Sequence, residues 1–471
     1  MNSRLPSVLF SIICLASCTS SKDKILKLEK NIIPAQWHTE LKHFELDSNE
    51  SYWSNAFHIP ALTQVLKLSH KNNPELDSML ERVIAQGEDA TIAGANISPI
   101  ASANLSGTRS KRNLIGFNFP NSEMSFTSNS FNAGINISWE LDIWGKIKDY
   151  KKSAEKRFEA STSEYKAARE SLNGQIAKTW FSLLENKFQI ELIQKTTETY
   201  SKNQIFINDR YRRGLASALE QQLADASLSL SRANLAQRQR NKEILSRSVQ
   251  KLVGEYPDGN FDLNSSLNLP ELSLPPLPPT PSAVVEARHD LTSARLQIEA
   301  SGYNLGIAKK SLLPSFSLIG GPGSRSNNFE DLIDQKFRVW DISTAVSQPL
   351  FQGGRLRAGI RKAESLKRSA LSKYKSLALN AFSEVEDTLS AENYLAKEEK
   401  NLKESYIALS KAAELSWERY QRGLEGIFNT LETRRRAFEA ESRFLSLKKE
   451  RIFNRINLYL AIGMNAIPPE S

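Results

Sequence analysis

Cysteine is almost absent from this chain. Cys14 and Cys18 are the only two in 471 residues, so beyond Cys18 no disulfide framework and no thiol chemistry is available. Histidine is scarce as well. His38, His43, His58, His70 and His289 show no metal-ligand spacing such as H-E-x-x-H, so neither a metal nor a cofactor is expected. Gly320-Gly-Pro-Gly323 lacks the Lys and Ser/Thr of a phosphate loop and reads as a turn between two strands. No nucleophile–base pair stands out, which argues against an enzyme. After residue 17 there is no run of 18 apolar residues, so no transmembrane helix is expected, although strands could still span a membrane. The net charge of +9 comes from interspersed signs, with no basic stripe or recognisable module for nucleic acid.

The most informative absence is of glycine and proline. From Ile360 to Arg422, 63 residues contain neither, and they are rich in Ala, Leu, Ser, Glu and Lys. One continuous helix is the natural reading, roughly 95 Å long at the standard rise. A helix of that length needs a coiled coil or bundle to bury its apolar stripe. Lys146 to Arg213 is a second such stretch, interrupted only by Gly174. Each ends in a glycine turn: Arg210-Tyr-Arg-Arg-Gly214 matches Arg419-Tyr-Gln-Arg-Gly423 at an offset of 209, while Pro99 matches Pro314 at 215. The chain is a duplication. The six-residue change in offset is expected in the loop of the first strand pair. In the last helix Leu431, Phe438, Leu445, Ile452 and Tyr459 recur every seven residues, a coiled-coil seam.

The strands precede the long helices. Phe131, Ala133, Ile135, Ile137, Trp139 and Leu141 alternate with polar residues and glycine, and Trp340, Ile342, Thr344 and Val346 do so more briefly. Period two over 11 residues suits a tilted membrane strand with aromatic ends, or an amphipathic strand on a soluble core. Four strands per chain cannot form an open sheet in lipid, because edge N–H and C=O groups would go unpaired. Several chains would have to close one barrel. A dimer would supply eight strands and a filled interior, a trimer twelve and a lumen.

The expected layout has a signal peptide at 1–17 and a lipidated N-terminal segment at 18–60. In the signal Arg4 is the positive end, Val8 to Leu15 the apolar run and Leu15-Ala-Ser-Cys18 the cleavage site. The first repeat covers 61–269, with a hairpin at about 100–143, a long helix at 146–213 and a return helix at 215–253. A Pro-rich linker at 270–281 follows. The second repeat covers 282–471, with a hairpin at about 315–350, a long helix at 355–422 and a return helix at 427–462. Trp37 and Trp53 are candidates to anchor the N-terminal segment.

Leu-Ala-Ser-Cys18, the paired repeats, Trp139-Glu-Leu-Asp-Ile-Trp-Gly145, Gln348-Pro-Leu-Phe-Gln-Gly-Gly-Arg355 and the two Tyr-x-x-Gly turns resemble the TolC-like outer membrane efflux protein family. Within it the likeness is to the lipoprotein branch that includes OprM. The resemblance implies an α+β membrane protein: a homotrimer with a 12-stranded β-barrel continued by a periplasmic α-helical coiled-coil tunnel. It implies lipid on Cys18, barrel residues Phe131, Ile135, Ile137, Trp139, Trp340 and Ile342 facing outer membrane lipid, and a passive conduit for small molecules. The conduit would work with a periplasmic adaptor and an inner-membrane transporter of the RND type. It further implies a periplasmic gate at the turns of Gly214 and Gly423. There Tyr420 matches the gating Tyr, Glu220 its carboxylate partner, and Asn429 and Glu432 the constriction positions. Asn429 carries no charge, and Glu425 stands where some members have a bonding Arg. For each of these residues the alternative is an ordinary solvated helix end, and Arg434-Arg-Arg436 reads as a solvated face. Two other functions stay open: a conduit for protein secretion, and a non-conducting coiled-coil lipoprotein scaffold.

Overall fold

The computed structural model describes residues 33–40, 52–113, 125–261, 263 and 267–468; the expected signal peptide, Cys18 and His43 lie outside them. Two helices of 67 residues dominate, α3 (Lys146–Arg212) and α7 (Arg355–Gln421). Each is about 100 Å long. Neither could bury its apolar stripe alone, and each is covered by shorter helices that follow one another along its length. Along its first part α3 lies beside α2 (Pro74–Ala95) and α6 (His289–Lys310), and along its last part beside α4 (Ala218–Val253). Helix α7 likewise runs beside α6 and then α8 (Ile427–Ala461). Polar contacts fix the registers. Ser153 Oγ donates to the Ala300 carbonyl at 3.2 Å, Lys310 meets Asp149 at 2.6 Å, and Asn186 Nδ2 donates to the Arg238 carbonyl at 3.1 Å.

Between these partner helices lies the main apolar core. Trp53, Phe57, Trp180, Phe181 and Tyr459 pack together, with helix α1 (Pro60–Asn72) contributing Leu62 and Leu66. Trp53 stacks on Tyr459 and is fully buried, and Trp37 donates Nε1 to the Pro279 carbonyl at 2.7 Å. Both tryptophans therefore hold N-terminal segments to the body. The Pro-rich segment is held down rather than free. Arg455 donates to the carbonyls of Ser273 and Leu274 and pairs with Glu392 at 2.6 Å, with both side chains almost wholly buried. A short helix α5 (Pro281–Ala287), capped by Thr280, ends that segment. The heptad residues of α8 form a continuous inward stripe, with Leu431, Ile452 and Tyr459 buried and Phe438 and Leu445 packed against neighbouring clusters.

At the far end the four strands β1 (Ile100–Asn113), β2 (Ser125–Leu141), β3 (Ser315–Ser326) and β4 (Arg338–Ser347) form one antiparallel sheet in chain order. Strands β2 and β3 join the two repeats, with Trp139 opposite Leu318 and Phe131 opposite Ser326. Strands β1 and β4 are its open edges. Among the described residues no helix is long and apolar enough to cross a membrane.

Three expectations are corrected. Gly320-Gly-Pro-Gly323 is not a turn; it lies inside β3. A Cβ at Gly321 would land on the carbonyl oxygen of Ile135, so glycine is what lets β3 approach β2 there. Pro322 has no N–H to give, and the β2–β3 ladder is interrupted beside it. The extra residues of the first repeat are not in its loop. They lengthen its strands, which have 14 and 17 residues against 12 and 10 in the second. The first return helix begins at Ala218 rather than Leu215, because Ser217 is its N-cap.

The buried Arg455–Glu392 pair makes a quantitative prediction. Glu392→Ala leaves the guanidinium buried without its anion and costs about 3–5 kcal/mol, whereas Arg455→Met with Glu392→Leu costs much less. Thermal melting followed by helical circular dichroism compares the two; equal losses would refute this account of the pair.

Candidate functional site

The sheet and the opposite helical tip are the two places where chemistry is concentrated. Opposed residues of an antiparallel pair share a face, so the registers sort every side chain. One face carries Ala101, Ala103 and Leu105 from β1 and Phe131 to Leu141 at odd positions from β2. It continues through Phe316 and Leu318 of β3 to Trp340, Ile342 and Val346 of β4. The other face carries mainly Ser, Asn and Gly, including Ser102, Asn104, Asn132, Asn136, Ser317 and Ser343. All six residues expected to face lipid therefore fall on the apolar face. Within one chain that face is bare: Trp340 is 77% and Ile342 71% exposed, and Ile135 and Ile137 are exposed too. Trp139 is half-buried and donates Nε1 to the Ile97 carbonyl at 2.8 Å, and Phe131 meets the Phe329 ring edge-on.

The sheet is joined to the long helices by two glycine elbows. In Trp139-Glu-Leu-Asp-Ile-Trp-Gly145, Asp142 accepts from the N–H groups of Ile147 and Lys148 at 2.9 and 2.8 Å, anchoring the start of α3. Trp144 Nε1 donates to the Pro314 carbonyl at 2.7 Å. In the second elbow Gln352 accepts from Arg355 instead, and no carboxylate caps α7. These motifs are the hinges between strand and helix.

At the tip, α3 and α7 end in the same turn. Gly214 and Gly423 have φ of +73° and +75°, where a side chain would be strained. The N–H of Leu215 reaches the Arg210 carbonyl at 2.8 Å, and that of Leu424 the Arg419 carbonyl at 2.9 Å. This is the Schellman arrangement. Tyr420 is buried between Trp417, Phe206 and the guanidinium of Arg210, 5.6 Å from its ring. Its hydroxyl lies 3.5 Å from Glu220 Oε1. Burial first, then the Glu220 charge, raises the phenol above its ordinary pKa, so it stays a neutral donor. Glu220 has a second task. Its Oε2 accepts from the Ser217 N–H at 2.7 Å while Ser217 Oγ accepts from the Glu220 N–H at 3.2 Å, a capping box.

Asn429 and Glu432 sit on the facing hairpin but are engaged elsewhere. Asn429 Nδ2 donates to Glu425 at 3.0 Å. Glu432 accepts from Arg435 and Arg436, each at 2.8 Å, which hold its carboxyl down to about 2. Arg434 departs from the solvated face expected for it. It is half-buried with its guanidinium 4.8 Å from the Trp417 ring, and desolvation lowers its pKa. Tyr420 and Glu220 are thus brought together, whereas Asn429 is tied to the turn before its helix and Glu432 to its own helix. The stack of Arg210 on Tyr420, Tyr420 on Trp417 and Trp417 under Arg434 is not legible from spacing, since it joins three helices and Arg210 lies 210 positions from Tyr420. Among the described residues, His, Asp and Glu are nowhere grouped so as to hold a metal.

The family model described as "Outer membrane efflux protein" matches residues 65–255 and 280–464, one block per repeat. The chain belongs to the outer membrane efflux protein family. Outer membrane protein OprJ of Pseudomonas aeruginosa is 26% identical over 412 residues, covering 87% of this chain and 85% of the relative. Pyoverdine export outer membrane protein OpmQ of Pseudomonas putida is 25% identical, covering 91% of each. A membrane protein of known structure from Pseudomonas aeruginosa superposes with a TM-score of 0.84 at 25% identity, over 92% of this chain and 97% of the other. Efflux family membership places the protein in the outer membrane with its helices extending into the periplasm, and the gap between the matched blocks coincides with the segment pinned by Arg455.

The double use of Glu220 separates two substitutions. Glu220→Ala breaks the capping box and loosens the start of α4 by about 1 kcal/mol, a roughly fivefold faster amide exchange over 218–222. Glu220→Gln keeps a capping acceptor and leaves exchange nearly unchanged. Equal acceleration in both, read by hydrogen-exchange mass spectrometry, would refute the capping role.

Proposed function

We propose that this efflux family member is the channel component of a tripartite pump, built as a homotrimer whose twelve strands close one barrel. The observation that carries this reading is the sheet itself, with one continuous apolar face and open edges at β1 and β4. Closing β4 of one chain on β1 of the next satisfies both edges and turns the Ser/Asn/Gly face toward a lumen. Three chains are the smallest ring that leaves that lumen open. The helices then continue the ring into the periplasm as a tunnel that meets an adaptor, with an inner-membrane transporter supplying the energy. Cys18 carries the lipid anchor in this reading.

The same reading makes the tip a gate. The Tyr420–Glu220 contact ties the hairpin α7–α8 to the hairpin α3–α4, and breaking it lets the two separate. A non-conducting scaffold has no use for an apolar sheet face. OprJ is named an outer membrane protein and OpmQ a pyoverdine exporter, which favours small-molecule export over protein secretion for this chain.

Two experiments test the proposal. In a planar bilayer the purified trimer gives small, steady openings, and Tyr420→Phe and Glu220→Gln each enlarge them at least twofold; silence of all three would sink a tip-gated channel. Arg at Ile135 or Ile137 costs about 2–4 kcal/mol if the position lies at mid-bilayer. The yield of heat-resistant trimers in outer membranes should fall accordingly. Normal yields from both variants would remove the lipid-facing assignment.

A further inference from the structure

The apolar face of the sheet carries charge at one end only, and of one sign only. Arg109 and Lys111 on β1 and Arg338 on β4 all share the face of Leu105, Ile135 and Trp340, as the registers require. No Asp or Glu lies on that face of any strand. All three cations sit toward the hairpin ends of their strands, remote from the helices. They are exposed, and among the described residues none of the three takes part in an ion pair. Arg325, on the opposite face, contrasts with them: its Nε donates to Asn132 Oδ1 at 2.6 Å.

A cation facing lipid is costly at the bilayer centre and nearly neutral at the interface, where it can reach headgroup anions. Three unpaired cations at the outer rim of an apolar face therefore fit a layer of anionic headgroups at that depth. Because helices leave the other end of the sheet toward the periplasm, this rim lies in the outer leaflet. We propose that Arg109, Lys111 and Arg338 form a binding belt for the phosphate groups of outer-leaflet glycolipid. Arg and Lys suit this ligand, Arg by bidentate bonding to phosphate oxygens and Lys as a point charge. In the closed ring β1 of one chain neighbours β4 of the next, so one glycolipid would be gripped across the joint between copies. The belt rests on the membrane-spanning reading of the sheet.

The test uses the full-length trimer in detergent, with native mass spectrometry counting retained lipid. The probes are bis-phosphorylated lipid A, its dephosphorylated form and phosphatidylglycerol. Wild type is expected to retain lipid A at least tenfold better than either of the others. The variant R109Q/K111Q/R338Q should lose that preference while keeping its trimer and its conductance. Equal retention of dephosphorylated lipid A or of phosphatidylglycerol by wild type would overturn the proposal, as would an unchanged preference in the variant. Should the triple variant fail to assemble, the wild-type comparison among the three lipids still decides. Failure of the spanning reading shows separately, as normal assembly of Ile135→Arg and Ile137→Arg.

Discussion

An antiparallel sheet of four strands ends in two rows of unpaired N–H and C=O groups, and in hydrocarbon each unpaired group costs several kcal/mol. That constraint organises the molecule. The sheet of this chain has its apolar face bare and its edges at β1 and β4, so a single copy would be incomplete in the proposed membrane-spanning role. In the proposed ring the remaining parts keep several copies in register. The long helices, joined to the strands by the elbows at Gly145 and Gly354, extend the same arrangement away from the membrane. Closure of the edges gives the proposed barrel, and continuation of the helices gives the proposed tunnel.

A helix of 67 residues has the opposite problem, since its backbone is satisfied but its stripe is too long for one partner. The duplication answers it with broken partners: α2 and α6 cover one part, α4 and α8 the other. The breaks meet at the core of Trp53, Trp180, Phe181 and Tyr459, where the Pro-rich segment also crosses. There Glu392 accepts from Arg455 and Asn454, so the one deeply buried guanidinium is paired and hydrogen-bonded. Such a pair contributes little net stability, but it fixes where the connection between repeats may lie.

Much of this was legible because it depends on local periodicity. The absence of glycine and proline over 360–422 announced a helix, the seven-residue stripe from Leu431 to Tyr459 announced its buried face, and strict alternation announced β2. The glycine turns were legible as well, because a Schellman turn needs a residue with positive φ at a fixed position. What escaped depended on contacts between separate elements. Gly320-Gly-Pro-Gly323 looks like a turn by composition, and only the nearness of the Ile135 carbonyl shows why glycine is needed inside a strand. Arg434 looks like one more surface cation, yet its guanidinium lies over Trp417 of another helix. The pairing of Tyr420 with Glu220 came from family resemblance; spacing alone could not have joined residues 200 apart.

The two tip hairpins share a turn but not a helix start, and that difference bears on the proposed gate. Helix α4 begins with the reciprocal Ser217–Glu220 cap, whereas α8 begins at Gly426 with no side-chain cap. At the equivalent positions, 209 apart, Ser217 has become Gly426 and Glu220 has become Asn429. The turn of hairpin α7–α8 is held differently, by Asn429 donating to Glu425 at 3.0 Å and by Arg419 pairing with Glu425 at 3.7 Å. Its link to the other hairpin is Tyr420, whose hydroxyl reaches a carboxylate already held in place by the cap on α4. At 3.5 Å the phenol–carboxylate contact is longer than an ordinary O–H···O bond, so the link between the hairpins is weak. In the proposed gate, hairpin α3–α4 would hold the carboxylate through its cap and hairpin α7–α8 would bring the phenol to it.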